Sequence, residues 1–95
     1  GYGNGLFGPN DVLTREQLAV MLYQYAAGRG WDVEPGEALD ASDAHTVSFW
    51  AQDAVRWAVQ NGVLTENAAG SLAVAAPASR ADVAQAFMTL VLRYA

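Results

Sequence analysis

Residues 14–27, Thr14-Arg15-Glu16-Gln17-Leu18-Ala19-Val20-Met21-Leu22-Tyr23-Gln24-Tyr25-Ala26-Ala27, decide the fold class. Leu18, Ala19, Met21, Leu22 and Tyr25 recur at three- and four-residue spacing, which puts them on one face of a helix. Thr14 is a good N-cap, Gln17 completes a capping box, and Gly28 and Gly30 end the run. Two further stretches repeat the pattern. One spans 47–61, with Trp50, Ala51, Ala54, Val55, Ala58 and Val59 expected inward, a cap at Thr46 or Ser48, and Gly62 at its close. The other spans 79–94, with Val83, Ala84, Phe87, Met88, Val91 and Leu92 forming its stripe, Ser79 capping it and Asp82 at the capping-box position. Residues 28–46 and 62–78 carry Gly, Pro or acidic residues and read as loops. Leu6-Phe7 and Ser71-Leu72-Ala73-Val74 are short candidate extended pieces. The expected fold is all-α, a small helical bundle.

The composition agrees with one small packed domain. The chain has 95 residues, 53% of them hydrophobic, with three Trp, four Tyr and three Phe. That excludes a disordered tail, although a domain this size has a thin stability margin. Net charge is −5 and all five basic residues are Arg. An acidic chain with no basic cluster is a poor partner for nucleic acid or an anionic membrane. No apolar run approaches the roughly 20 residues of a membrane span, and the first residues lack the basic start and apolar stretch of a signal peptide. With no Cys, a disulfide framework, a thiolate metal site and a Cys nucleophile are excluded.

Laid on itself with a shift of 65, the chain repeats. Gly5 falls on Gly70, Phe7 on Leu72, Thr14 on Ser79, Arg15 on Arg80, Leu18 on Val83, Ala19 on Ala84 and Leu22 on Phe87. The 47–61 helix has no upstream counterpart. Residues 1–30 then read as the back half of one unit and 31–95 as one whole unit, a fragment of a longer array.

The repeat twice places an arginine at the first position of a helix. A positive charge there opposes the helix dipole, at about 0.3–1 kcal/mol. Two readings remain open. Arg15 and Arg80 contact an anionic ligand, aided by the free N–H groups of a helix start and the planar guanidinium fork. Or each pairs with a carboxylate of the chain itself, such as Glu16, Asp43 or Asp82.

The segment from Phe7 to Ala19 resembles the second half of an S-layer homology repeat, including its Thr-Arg-Ala-Glu signature, and Ala78-Ser79-Arg80-Ala81-Asp82-Val83-Ala84 resembles that signature again. The segment from Asp43 to Leu64 resembles the first half, an Asp followed by a Val-Ser-x-Trp-Ala helix. The resemblance covers nearly the whole chain and rests on the order and spacing of these motifs. It implies repeats that come in threes, bundle with pseudo-threefold symmetry and hold proteins on the bacterial cell surface. The implied ligand is a secondary cell-wall polysaccharide, often bearing pyruvate ketals whose carboxylate meets the signature Arg in grooves between neighbouring repeats. Carried over by position, Arg15 and Arg80 are the anion contacts, and Asp43 and Trp50 belong to the groove wall. The departures fall mainly on the second unit. The signature Ala-Glu is Glu16-Gln17 in one copy and Ala81-Asp82 in the other, Val74 stands where Pro9 predicts a Pro, Ala41 replaces a Phe, and Glu66 replaces a Gly. Arg80 is accordingly the weaker contact, and the chain offers one inter-unit junction, the Arg15 helix against the Asp43 loop and helix.

Other residues read more simply. Trp50 and Trp57 lie seven apart; core packing is favoured for Trp50, and whichever Trp is exposed suits stacking on a sugar. Asp40 and Asp43 are a carboxylate pair in one loop without other catalytic features nearby, so loop solvation or capping fits them better than glycoside hydrolysis. His45 has no second His or Cys to share a metal and reads as a surface residue. Tyr23, Tyr25 and Tyr94 are expected to line the bundle with hydroxyls at the rim. No nucleophile–base pair, phosphate loop, metal site or cofactor site is expected. The leading function is a non-catalytic anchoring module for an anionic wall polysaccharide, working with neighbouring repeats or with a second copy in a homodimer. The alternative is a degenerate module for protein interaction or self-assembly.

Overall fold

The computed structural model describes residues 13–36 and 38–94. Three α-helices carry it: α1 (Arg15–Gly28), α2 (Gln52–Gln60) and α3 (Arg80–Tyr94). Short 3₁₀ turns at Ala44–Thr46 and Phe49–Ala51 lead into α2. No strand occurs among the described residues. The segment at Ser71–Val74 forms none; the one bridge of β type joins Thr14 to Pro77. The candidate extended piece at Leu6-Phe7, and Gly5, Phe7 and Pro9 of the first motif, lie outside the described residues.

Helix α1 begins as its sequence dictates. Thr14 Oγ1 accepts from Gln17 N at 3.1 Å, and Gln17 Oε1 accepts from Thr14 N at 2.9 Å, a reciprocal capping box. Helix α3 starts the same way: Ser79 Oγ accepts from Asp82 N at 3.0 Å, and Asp82 Oδ2 accepts from Ser79 N at 2.9 Å. The α2 helix is shorter than its apolar period suggests. Its predicted first turn is the 3₁₀ turn at Phe49–Ala51. Gly30 and Gly62, at positive φ, turn the chain out of α1 and α2.

The core is built where α1 meets α2. Leu18, Ala19, Leu22 and Ala26 of α1 pack with Ala51, Val55, Trp57 and Ala58, and are closed over by Val63, Leu64, Leu72 and Val74 of the segment that follows. Trp57 rather than Trp50 fills the centre. Trp57 is fully buried, whereas Trp50 is 63% exposed and Phe49 more so. The physical reason is the 3₁₀ start. A tighter helix changes the angular step per residue, so the α-helical stripe projected back through Trp50 loses its phase there. Trp57 Nε1 donates to the Tyr94 hydroxyl at 3.0 Å, and that hydroxyl donates to the Asp32 carbonyl at 2.7 Å. Tyr94 is thus a half-buried link at the edge of the core, stacked on Trp31 with ring centroids 4.9 Å apart. Tyr23 meets Trp57 edge-on, and Tyr25 lies exposed.

Helix α3 corrects the expected stripe. Its buried residues are Ala86 and Leu90, with Val83 and Tyr94 half-buried. Ala84, Phe87, Met88, Val91 and Leu92 face outward instead. The helix carries two apolar stripes, and periodicity cannot say which one this chain covers. The shift of 65 makes the contrast clear: Ala19, Leu22 and Ala26 are buried on α1, while Ala84, Phe87 and Val91 are bare on α3. On α1 that face lies under α2.

Replacing Trp57 with Ala removes the central ring and leaves the Tyr94 hydroxyl without its donor. A loss of about 3–5 kcal/mol is expected in urea unfolding. Trp50→Ala is expected to stay within about 0.5 kcal/mol of the parent chain.

Candidate functional site

The segment between α2 and α3 has no regular secondary structure, so its backbone polar groups need partners from elsewhere. Asp43 supplies the first set. Its Oδ1 accepts from Leu72 N at 2.8 Å, and its Oδ2 accepts from Ala73 N at 2.9 Å and Ser71 Oγ at 2.7 Å. These bonds pull the Asp43 carboxyl down from 3.8 to about 2, with the Ser71 hydroxyl as the largest cause. They also hold Ala73 at a φ of 48°, left-handed backbone that costs a non-glycine residue roughly 1 kcal/mol.

Arg15 supplies the second set. Its Nε donates to the Leu72 carbonyl at 2.8 Å, its Nη2 donates to the Thr65 carbonyl, and its Nη1 lies 2.9 Å from Asp82 Oδ1. The Leu72 peptide is therefore held from both sides, by Asp43 at its N–H and by Arg15 at its C=O. Capping by Ser79 N, then the Arg15 charge, lower the Asp82 carboxyl below its ordinary value.

Of the two sequence readings for Arg15, the geometry includes the internal pair, and Asp82 is the partner. The start of α1 differs from the free helix end expected. Arg15 N donates to Ala76 O and Glu16 N to Val74 O, both at 3.0 Å, so these N–H groups face backbone rather than open space. Arg80 is the reverse case. It is exposed, and its side chain makes no hydrogen bond or ion pair among the described residues.

Beside Arg15 is an open depression of about 280 Å³ lined by Arg15, Thr65, Glu66, Asn67, Ser71, Ala73 and Asp82. Its hydroxyl, amide, carboxylate and guanidinium groups suit a polar ligand. The structure brings Arg15 and the loop clamped by Asp43 together at its rim. Trp50 and Arg80 do not line it. A second depression, of about 200 Å³, lies between the Asp32–Gly36 loop and the Arg93–Tyr94 end of α3. Arg93 Nε there donates to Asn61 Oδ1 at 2.9 Å. Among the described residues no group of His, Asp and Glu is placed to hold a metal ion, and no helix is long and apolar enough to cross a membrane.

Sequence reasoning missed two contributors. Glu16 is buried, and its two oxygens accept from Ser48 N and Ser48 Oγ, both at 2.7 Å. It anchors the approach to α2 onto α1. A buried-facing carboxylate within the first turn of an amphipathic helix was the available signal. Thr65 acts through its carbonyl, for which a side-chain pattern carries no signal.

The model of the S-layer homology domain matches residues 1–19 and 42–84. The chain is 32% identical over 98 residues to an endoglucanase of Bacillus sp. (strain KSM-635), an alignment covering all of this chain and 10% of that protein. The chain thus spans about a tenth of the length of this curated relative. No solved structure matches.

Asp43 binds its proton more weakly folded than unfolded, so its contribution to stability is complete above about pH 4 and is lost as pH falls towards 2. Asp82 acts in the same direction. Asp43→Asn is expected to flatten the fall in melting temperature between pH 4 and 2, measured by circular dichroism, while lowering the plateau at neutral pH.

Proposed function

The chain belongs to the S-layer homology family, and from that premise we propose that it is a non-catalytic module that anchors a larger protein at the bacterial cell surface by binding an anionic secondary cell-wall polysaccharide. The proposed contact is Arg15, in the depression shared with Thr65, Asn67 and Ser71. The observation that carries this reading is that guanidinium. It is held by two backbone carbonyls, so it is pre-oriented at the rim of a polar depression before any ligand arrives. Asp43 acts one step behind it, by shaping the loop that presents Ser71 and Ala73. Arg80, bare at the start of α3, would serve a second groove formed with a further repeat, and exposed Trp50 is available for stacking on a sugar face. A carboxylate such as that of a pyruvate ketal matches the guanidinium fork. The proposed units are residues 1–30 and 31–95, as the internal repeat divides them. The family implies association with the cell surface or wall, and a match to a tenth of the length of an endoglucanase fits a module carried by larger proteins.

A second reading rests on a different observation. Phe87, Met88, Val91 and Leu92 leave an apolar face on α3 whose equivalent on α1 is covered by α2. Isolated surface apolar residues are ordinary, and four on one helix face are what supports an interaction surface there. A second copy, pairing α3 against α3, would bury it, and the module would then serve assembly.

Sedimentation with purified Gram-positive wall material tests the first reading. Arg15→Ala is expected to weaken co-sedimentation by more than about tenfold, with helicity retained by circular dichroism at a temperature well below melting. Co-sedimentation equal to that of the parent chain would sink the polysaccharide reading. For the second, analytical ultracentrifugation is expected to show concentration-dependent dimers that Phe87→Glu converts to monomer. A clean monomer for the parent chain at high concentration would count against assembly through this face.

A further inference from the structure

The two repeat-related helix starts solve one capping problem with different residues. At α1 the oxygen that accepts from the cap residue's N–H belongs to neutral Gln17, at 2.9 Å. At α3 it belongs to Asp82, also at 2.9 Å. An amide suffices at α1, so the cap requires an oxygen and not a charge. The charge of Asp82 goes elsewhere: its second oxygen, Oδ1, sits 2.9 Å from Arg15 Nη1. The other two guanidinium nitrogens already donate to the Leu72 and Thr65 carbonyls. Of the five guanidinium N–H groups three are engaged, and a carboxylate approaching from the Nη1 side meets Asp82 there. Glu66 lines the same depression, which sets two carboxylates against one guanidinium.

We infer that Asp82 is a specificity-determining residue of the proposed site, an internal carboxylate that holds the Nη1 side of Arg15 against an anionic ligand's carboxylate. The inference rests on the polysaccharide reading above. Binding is then an exchange of one carboxylate for another on a guanidinium whose position is already set. Both partners of the internal pair are partly solvated, with 13% and 28% of their side chains exposed. Such a pair is weak enough to be displaced. Its presence lowers the affinity for anions and raises the demand for additional contacts with the sugar, which is how a site discriminates a specific polymer from any acidic one.

The test measures binding of a 4,6-O-pyruvylated methyl hexopyranoside, with the ketal-free glycoside as control, by isothermal titration calorimetry. Asp82→Asn and Asp82→Gln each retain a capping oxygen, the second copying Gln17. Both are expected to bind the pyruvylated probe on the order of fivefold more tightly than the parent chain. That gain is expected to be absent with the ketal-free glycoside and absent in an Arg15→Gln background. Equal or weaker binding by both variants, with the parent still dependent on Arg15, overturns the inference and leaves the polysaccharide reading standing. No binding by the parent or by either variant removes that reading and this inference together. Loss of helicity in both variants shows that the cap needs the charge, and overturns the argument at its first step.

Discussion

The peptide unit of Leu72 is the point on which this structure depends. Its N–H is held by the Asp43 carboxylate, its C=O by the Arg15 guanidinium, and its side chain is fully buried among residues from α1 and α2. The connector from α2 to α3 bonds to itself only in local turns, which leave the Leu72 peptide without a backbone partner. An unsatisfied buried backbone group costs roughly 1–3 kcal/mol. Two charged side chains from different parts of the chain meet that demand. The same bonds fix the loop against the start of α1.

From that constraint the rest follows in order. Because Arg15 points into the connector, it also reaches Asp82, which caps α3. The start of one helix is thereby tied to the start of another 65 residues along. Glu16, the next residue, takes both donors of Ser48, which fixes the approach to α2. One turn of helix thus organises two connections. The polar depression beside Arg15 is a consequence of this tethering. Its rim consists of loop residues whose positions are set by the same carboxylate and guanidinium.

Arg15 and Arg80 each follow a hydroxyl cap, 65 residues apart, and end in opposite states. Arg15 has a connector folded over it, and each of its three guanidinium nitrogens has a partner there, two carbonyls and a carboxylate. Arg80 has no such segment among the described residues and stands in the open. The apolar stripes of α1 and α3 show the same contrast. The α1 face lies under α2 while the α3 face is bare, and the two helix starts agree in their caps.

Local features were legible in the sequence for local reasons. Both capping boxes, the three helices and the turns after Gly30 and Gly62 depend on residues within a few positions of one another, and the order of motifs along the chain carried the family. Three things required the tertiary structure. The 3₁₀ start of α2 shifts the helical phase and leaves Trp50 outside, while packing within the α1–α2 core takes in Trp57. Helix α3 has two apolar stripes, and only the packing of the chain selects Ala86 and Leu90. The partners of Arg15 are mostly backbone carbonyls, which every residue possesses and no sequence pattern marks. Side-chain chemistry along the chain determined which groups were available; the path of the connector decided which of them met.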